Sequence, residues 1–283
     1  MGILDNKVAV ITGSSRGLGF GIAKRFSAKG ASIIITSRSE KSVQQAVASL
    51  RQDGAKVAGI PCDVGDLESV ERLRDFTVET FGTFDIWVNN AGLSGAYGPT
   101  AHLPIGDYVK VLHTNIHGTY YGSVIAMKHF VPQGSGKLIN LLGRGDKGPV
   151  KYQNAYAPTK IWVRSFTLAL AKEYKESGVG VFAFNPGLVE SDMTQQVSAI
   201  KGYETLMQPL KTVMRMWGNP PEVPAEKALW LASSATDGKT GIEVQVLNFP
   251  RVVSGALGEG LRRLMGRNNN TPLQIKVIPP AIP

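Results

Sequence analysis

A single cysteine, Cys62, stands in 283 residues. That excludes an internal disulfide and any metal site built on several thiolates. Histidine is scarce as well. The four present, His102, His113, His117 and His129, show no metal-ligand arrangement, so no metal is expected. No apolar run reaches the roughly 18–20 residues of a membrane span. The segment Met1-Gly2-Ile3-Leu4-Asp5-Asn6-Lys7 has no basic stretch ahead of a long apolar core, so it is not read as a secretory signal. Gly2 does not argue for myristoylation, because position 6 is Asn6 rather than Ser or Thr. A cytoplasmic location is the resulting expectation. The formal net charge is +9, yet the cations are scattered, with no Lys/Arg run and no nucleic-acid motif. An anionic cofactor or substrate accounts better for part of that excess than nucleic acid does.

What remains is an ordinary soluble composition, 43% hydrophobic and 19% charged, on a chain long enough to bury a full core. Strand-like and helix-like segments alternate through the first half. Apolar runs at Val8–Thr12, Ser32–Thr36, Lys56–Ile60 and Ile86–Asn89 read as strands. Between them, Phe20–Lys29, Ser39–Leu50 and Leu67–Phe81 carry helical spacing. Further strands are expected at Lys137–Asn140, Val179–Phe184 and Glu243–Leu247. Buried-type strands alternating with helices imply a parallel sheet covered on both faces. With right-handed crossovers this becomes an α/β, doubly wound parallel sheet, a Rossmann fold. One domain is expected over residues 1–249, with a lid or substrate segment at about 188–224 made of short helices. Residues 250–283 read as an extended C-terminal tail, because prolines resist helix and donate no ladder hydrogen bond. Such an arm would lie over the lid or a neighbouring subunit.

The turn after the first strand spaces its glycines as Gly13-x-x-x-Gly17-x-Gly19, with Ser15, Arg16 and Leu18 between them. Glycine there permits a tight turn and lets backbone N–H groups approach a pyrophosphate at a helix N-terminus. Asp63, after the third strand, suits an adenine amino group, or alternatively a helix cap. Asn89-Asn90-Ala91-Gly92 ends the fourth strand, at the carboxyl edge where open sheets bind ligands. No acidic residue ends the second strand. Ser37-Arg38 stands there instead, and together with Arg16 it could clamp a 2′-phosphate, so NADP(H) is the expected cofactor.

These segments, with Asp63-Val64, Asn115, Tyr156-x-x-x-Lys160 and Asn185-Pro186-Gly187, resemble the short-chain dehydrogenase/reductase family in kind and order, over about residues 5 to 249. Chemistry explains the pair. Reducing a carbonyl leaves an alkoxide that needs a proton, and a tyrosine can supply it if a nearby ammonium lowers its pKa. The resemblance implies that Tyr156 is that donor, that Lys160 also binds the nicotinamide ribose, and that Asn115 anchors a proton-relay water. It further implies that Pro186, Gly187 and Val189 lie against the nicotinamide carboxamide, with Ser191 as hydroxyl partner (or as a helix cap). A homodimer or homotetramer acting on a small-molecule substrate follows from the same likeness.

One member of the family pattern is missing. The serine thirteen residues before the tyrosine is Gly143 here, followed by Arg144. Both are candidate substrate residues, Arg144 as a stand-in donor and Gly143 as a site where restored serine would raise turnover. The expected activity is NADP(H)-dependent interconversion of a carbonyl and an alcohol. Reduction of a C=C or C=N bond is an alternative, and a dinucleotide-binding regulatory protein with little turnover is another.

Overall fold

The computed structural model describes residues 2–247, 249–265 and 273–281. Seven parallel strands form its centre: β1 (Val8–Ile11), β2 (Ser32–Ser37), β3 (Val57–Pro61), β4 (Ile86–Asn89), β5 (Gly136–Leu141), β6 (Val179–Asn185) and β7 (Glu243–Gln245). Their spatial order is β3-β2-β1-β4-β5-β6-β7. The order reverses between β1 and β4, which opens a crevice at the carboxyl ends of those strands.

The period-2 alternation of each strand explains the two-sided core. Ala9, Ile11, Ile33, Ile35, Ile86, Val88, Phe182 and Phe184 point to one face, against Ile22, Phe26, Val43 and Leu229. Val8, Val10, Ile34, Trp87, Leu138 and Val181 point to the other, against Val70, Leu73, Ile125 and Phe130. Helices α1 (Gly17–Ser27) and α2 (Glu40–Gln52) cover the first face. On the second lie α3 (Leu67–Phe81) and, following α4 (Ile105–Leu112) through a π-helical turn at His113–His117, α5 (Gly118–Gln133). Helix α6 (Ala157–Glu173) follows Tyr156, and Pro158 is accommodated in its first turn, where a missing N–H costs nothing.

Asn89 is buried and takes part in the core. Its amide donates to Asn140 Oδ1 at 2.8 Å and Ser123 Oγ at 3.1 Å, and its Oδ1 accepts from Trp87 Nε1 at 2.9 Å. This closed polar network between β4, β5 and α5 leaves Asn90, not Asn89, to face the crevice.

The segment beyond β6 departs from expectation. A strand, Gln196–Ile200, stands where only short helices were expected, ahead of α7 (Gln208–Trp217) and α8 (Glu222–Ala232). It is the middle strand of a small three-stranded parallel sheet, flanked by Ala96–Tyr97 and by Gln274–Ile278 from the tail. Its sequence alternates, and Val197, Ala199 and Ile200 are buried. The tail read as an extended arm begins as a helix, α9 (Phe249–Leu264). The prolines explain the difference. Pro250 sits in the first turn, where proline is tolerated, and no other proline falls before Pro272. Glu259 joins α9 to Arg215 of α7 at 2.7 Å.

Candidate active site

The strands of the large sheet deliver residues to one cavity of about 920 Å³ at their carboxyl ends. That size suits a cofactor and a small ligand together. Gly13, Ser15, Arg16, Gly17, Leu18 and Gly19 line it after β1, and Ser37 and Arg38 after β2. Asp63 and Val64 follow β3, and Asn90, Ala91 and Gly92 follow β4. Gly143 and Arg144 follow β5, Tyr156 caps α6 and Lys160 lies in its first turns, and Pro186, Gly187, Val189 and Ser191 follow β6. Asn115 alone among the expected residues is absent from the wall, being fully buried behind it.

The glycine turn is a cradle for local reasons. Gly13 and Gly17 have φ of 63° and 57°, a region side chains rarely adopt. A Cβ at Gly19 would overlap the Asn90 amide, while one at Gly13 would come within 2.9 Å of Ala91. The Thr12 hydroxyl braces both strand ends, accepting the N–H groups of Asn90 and Ala91 at 3.0 Å. Arg16 occupies the N-cap of α1 without a side-chain cap, so the first-turn N–H groups are left for another acceptor. The residues present therefore fit a dinucleotide phosphate. Arg16 itself is held by Asp192 across the crevice at 2.7 Å, whereas Arg38 makes no ion pair among the described residues. Asp63 is not the helix cap. Asp66 fills that role for α3, and Asp63 Oδ1 accepts the Gly65 N–H at 3.0 Å. Ser191 precedes a single helical turn, Asp192–Gln195, with its N–H bonded to the Thr194 hydroxyl at 3.1 Å.

Tyr156 and Lys160 meet at the inner end. The Lys160 ammonium lies 5.6 Å from the Tyr156 ring centroid and donates to the Leu141 carbonyl at 2.9 Å. Burial lowers the Lys160 pKa to about 8, with the Asp146 carboxylate opposing. Tyr156 is raised above its ordinary value by burial, then by Tyr97 and Asp146. Burial is the largest of these causes. No described residue hydrogen-bonds the Tyr156 hydroxyl. Asn115 sits in the π-helical turn, pairing with the backbone of Leu93 at 2.8 and 3.0 Å and with Thr159 Oγ1 at 3.1 Å. It thereby ties the strand-four loop to the first turn of α6.

A Cβ built on Gly143 would overlap the Tyr156 hydroxyl. The phenol occupies the space that a residue-143 side chain would need, so the gain expected from a serine there meets a steric obstacle. Three residues of this site carried no signal that the sequence reading recognised. Asp146 is buried and accepts from Asn185 Nδ2 at 2.9 Å. Tyr97 and Gln153 line the cavity and hydrogen-bond each other. Only the position of Gln153, three before Tyr156, could have drawn attention to it.

The short chain dehydrogenase family model matches residues 7–201. Glucose 1-dehydrogenase 2 of Bacillus subtilis (strain 168) is 30% identical over 241 residues, covering 84% of this chain and 92% of its own. The 3beta-hydroxysteroid dehydrogenase 1 of Eggerthella lenta is 33% identical over 240 residues, covering 84% and 91%. Among solved structures, an actinorhodin polyketide ketoreductase variant with NADPH superposes with a TM-score of 0.78 at 27% identity, covering 87% of this chain and 97% of the other. A 3-ketoacyl-(acyl-carrier-protein) reductase from Brucella melitensis, complexed with NADH, gives 0.76 at 27% identity, covering 86% and 97%.

Proposed function

The chain belongs to the short-chain dehydrogenases, and on that premise we propose that it is an NADP(H)-dependent oxidoreductase interconverting a carbonyl and an alcohol. The observation that carries this reading is the Tyr156 hydroxyl, without a hydrogen-bond partner among the described residues, beside Lys160 in the cavity that the glycine cradle also lines. When bound, the nicotinamide ring supplies or accepts the hydride. The protein's part is the proton. Tyr156 gives its phenolic hydrogen to the substrate oxygen as negative charge develops there, and takes it back in the oxidative direction. A raised phenol pKa keeps that hydrogen in place until the alkoxide, the stronger base, demands it. Lys160 supports the phenolate left behind, since opposite charge favours the ionised form. Asn115 keeps the loop after β4 locked to α6, so the two sides of the cavity hold their spacing.

The preference for NADP(H) rests on Arg38. It follows β2 beside Ser37, lines the cavity and has no competing carboxylate among the described residues. Arg16 must leave Asp192 to join it. NADPH is expected to bind at least about tenfold more tightly than NADH, roughly 1.4 kcal/mol, and Arg38→Ala to erase the difference. Tyr156→Phe should abolish turnover of a ketone and aldehyde panel while cofactor binding survives. Equal affinities for the two cofactors would sink the cofactor assignment, and an active Tyr156→Phe enzyme the proton donor.

A further inference from the structure

Polar groups that the Tyr156–Lys160 pair does not use cluster on one wall of the cavity. Gln153 is 3% exposed, and its Oε1 meets no hydrogen-bond partner among the described residues. Its Nε2 donates to the Tyr97 hydroxyl, whose own hydrogen has no acceptor among the described residues. The amide can be turned over without changing its shape. The Tyr97 hydroxyl then donates to Oε1, and the N–H groups of Nε2 are free. In the first orientation, the one the structure has, the Tyr97 hydrogen is unspent and the Gln153 oxygen unpaired. In the turned one the Tyr97 hydrogen goes to Oε1 and the amide hydrogens are left, so only the first presents Tyr97 as a donor to a ligand.

Both residues are held firmly, by different parts of the chain. Tyr97 belongs to the small parallel sheet, in register with Ala199, and the next N–H, from Gly98, bonds the Tyr152 carbonyl at 3.1 Å. The Gln153 carbonyl accepts the N–H groups of Tyr156 at 3.0 Å and Ala157 at 2.9 Å, so one turn sets Gln153 and Tyr156 together. Tyr97 and Tyr156 line the same cavity, and ionisation of the one would disfavour ionisation of the other. Burial raises the Tyr97 pKa above its ordinary value, and the Arg144 guanidinium and the Gln153 hydrogen bond oppose that rise. Residue 143 brings no side chain, and the Tyr156 hydroxyl fills the space it would need.

We propose that the Tyr97 hydroxyl, oriented by Gln153, is the second hydrogen-bond donor to the substrate's carbonyl oxygen, beside Tyr156. The assignment rests on the carbonyl chemistry proposed above. Tyr97 touches the substrate and is a catalytic residue, whereas Gln153 acts through it and is a positioning residue. No bond is made or broken by Tyr97; it holds the oxygen on which negative charge develops, and the proton still comes from Tyr156.

NADPH oxidation against a panel of ketones and aldehydes tests this, with NADPH affinity measured separately by tryptophan fluorescence. Tyr97→Phe should lower kcat and kcat/KM together by about 10²–10³, the range for losing one oxyanion donor. KM and the NADPH Kd should stay within about twofold of the parent, because the donor acts in the transition state. Gln153→Leu should reproduce part of the loss and add nothing in the Tyr97→Phe background, since both act through one donor. Tyr174→Phe, which removes a phenolic hydroxyl outside the cavity, should leave kcat unchanged. Full activity in Tyr97→Phe, with Tyr156→Phe dead, overturns this assignment and leaves the carbonyl reading standing. Lost NADPH binding in Tyr97→Phe moves the phenol to the cofactor's site and overturns it too. A parent that binds NADPH yet turns over no member of the panel overturns the carbonyl reading and this assignment with it.

Discussion

Replacing Lys160 by methionine isolates the energy stored in one buried ammonium. The side chain is 4% exposed, and burial brings its pKa from 10.5 to about 8. Below pH 8 the lysine is charged in both the folded and the unfolded chain, and the fold bears the full desolvation cost. Between about 8 and 10.5 the unfolded chain binds the proton and the folded one does not, so stability rises with pH. At about 1.4 kcal/mol for each pH unit, that window is worth about 3 kcal/mol on this group alone. Methionine fills similar volume and does not titrate. It also leaves the Leu141 carbonyl without its 2.9 Å donor, a pH-independent loss of about 1–3 kcal/mol. The absolute stability difference therefore mixes two terms, but its slope contains only one. Urea melts of parent and Lys160→Met without cofactor, at pH 7, 8, 9 and 10, should show the parent gaining roughly 2–3 kcal/mol on the variant by pH 10. Groups that titrate in both proteins cancel in the difference. Parallel stability curves across that range would mean Lys160 keeps an ordinary pKa and the burial argument fails.

Three other substitutions address the surroundings. Gly143→Ala should displace the Tyr156 hydroxyl and lower kcat at least about tenfold with NADPH affinity intact, the opposite of a gain; unchanged kcat would show the phenol works from another position. Asp146→Asn removes a charge that raises both Tyr156 and Lys160, so the acid limb of the pH profile for alcohol oxidation should move to lower pH. A shift upward, or none, would remove Asp146 from the electrostatics of the pair. Gly255→Val would drive a side chain into the Met216 carbonyl and the Trp217 ring, separating α9 from α7 at about 1–3 kcal/mol of overpacking. Thermal melts should register the loss, and hydrogen exchange should report faster opening at Gln196–Ile200.

The large sheet was readable because each of its strands is a local apolar run and each helix a local period. The glycine turn and the Tyr156–Lys160 pair are local too, one a matter of backbone conformation and the other of helical spacing. What escaped reading depends on distant partners. Gln196–Ile200 has a strand's alternation in only five residues, and its identity as a middle strand comes from Ala96–Tyr97 and Gln274–Ile278, roughly 75 to 100 residues away on either side. Arg16 looked like a free phosphate clamp, yet its ion pair with Asp192 spans 176 positions. Tyr97 and Gln153 belong to no short motif; 56 positions separate them, and only folding makes them a pair.

The same long-range pairing gives the small sheet its place in the argument. Its middle strand belongs to the segment over the cavity, one outer strand carries Tyr97, and the other comes from the tail. A displacement of Gln196–Ile200 would therefore act on the register of Tyr97 directly, through Tyr97↔Ala199, and on the tail through five consecutive pairs. The ladder to Ala96–Tyr97 has two pairs and the ladder to the tail has five, so in any separation of the three strands the shorter ladder is expected to yield first. A Tyr97 that stays in register keeps its side chain on the cavity wall, where exclusion of water makes a hydrogen bond to a developing oxyanion strongest.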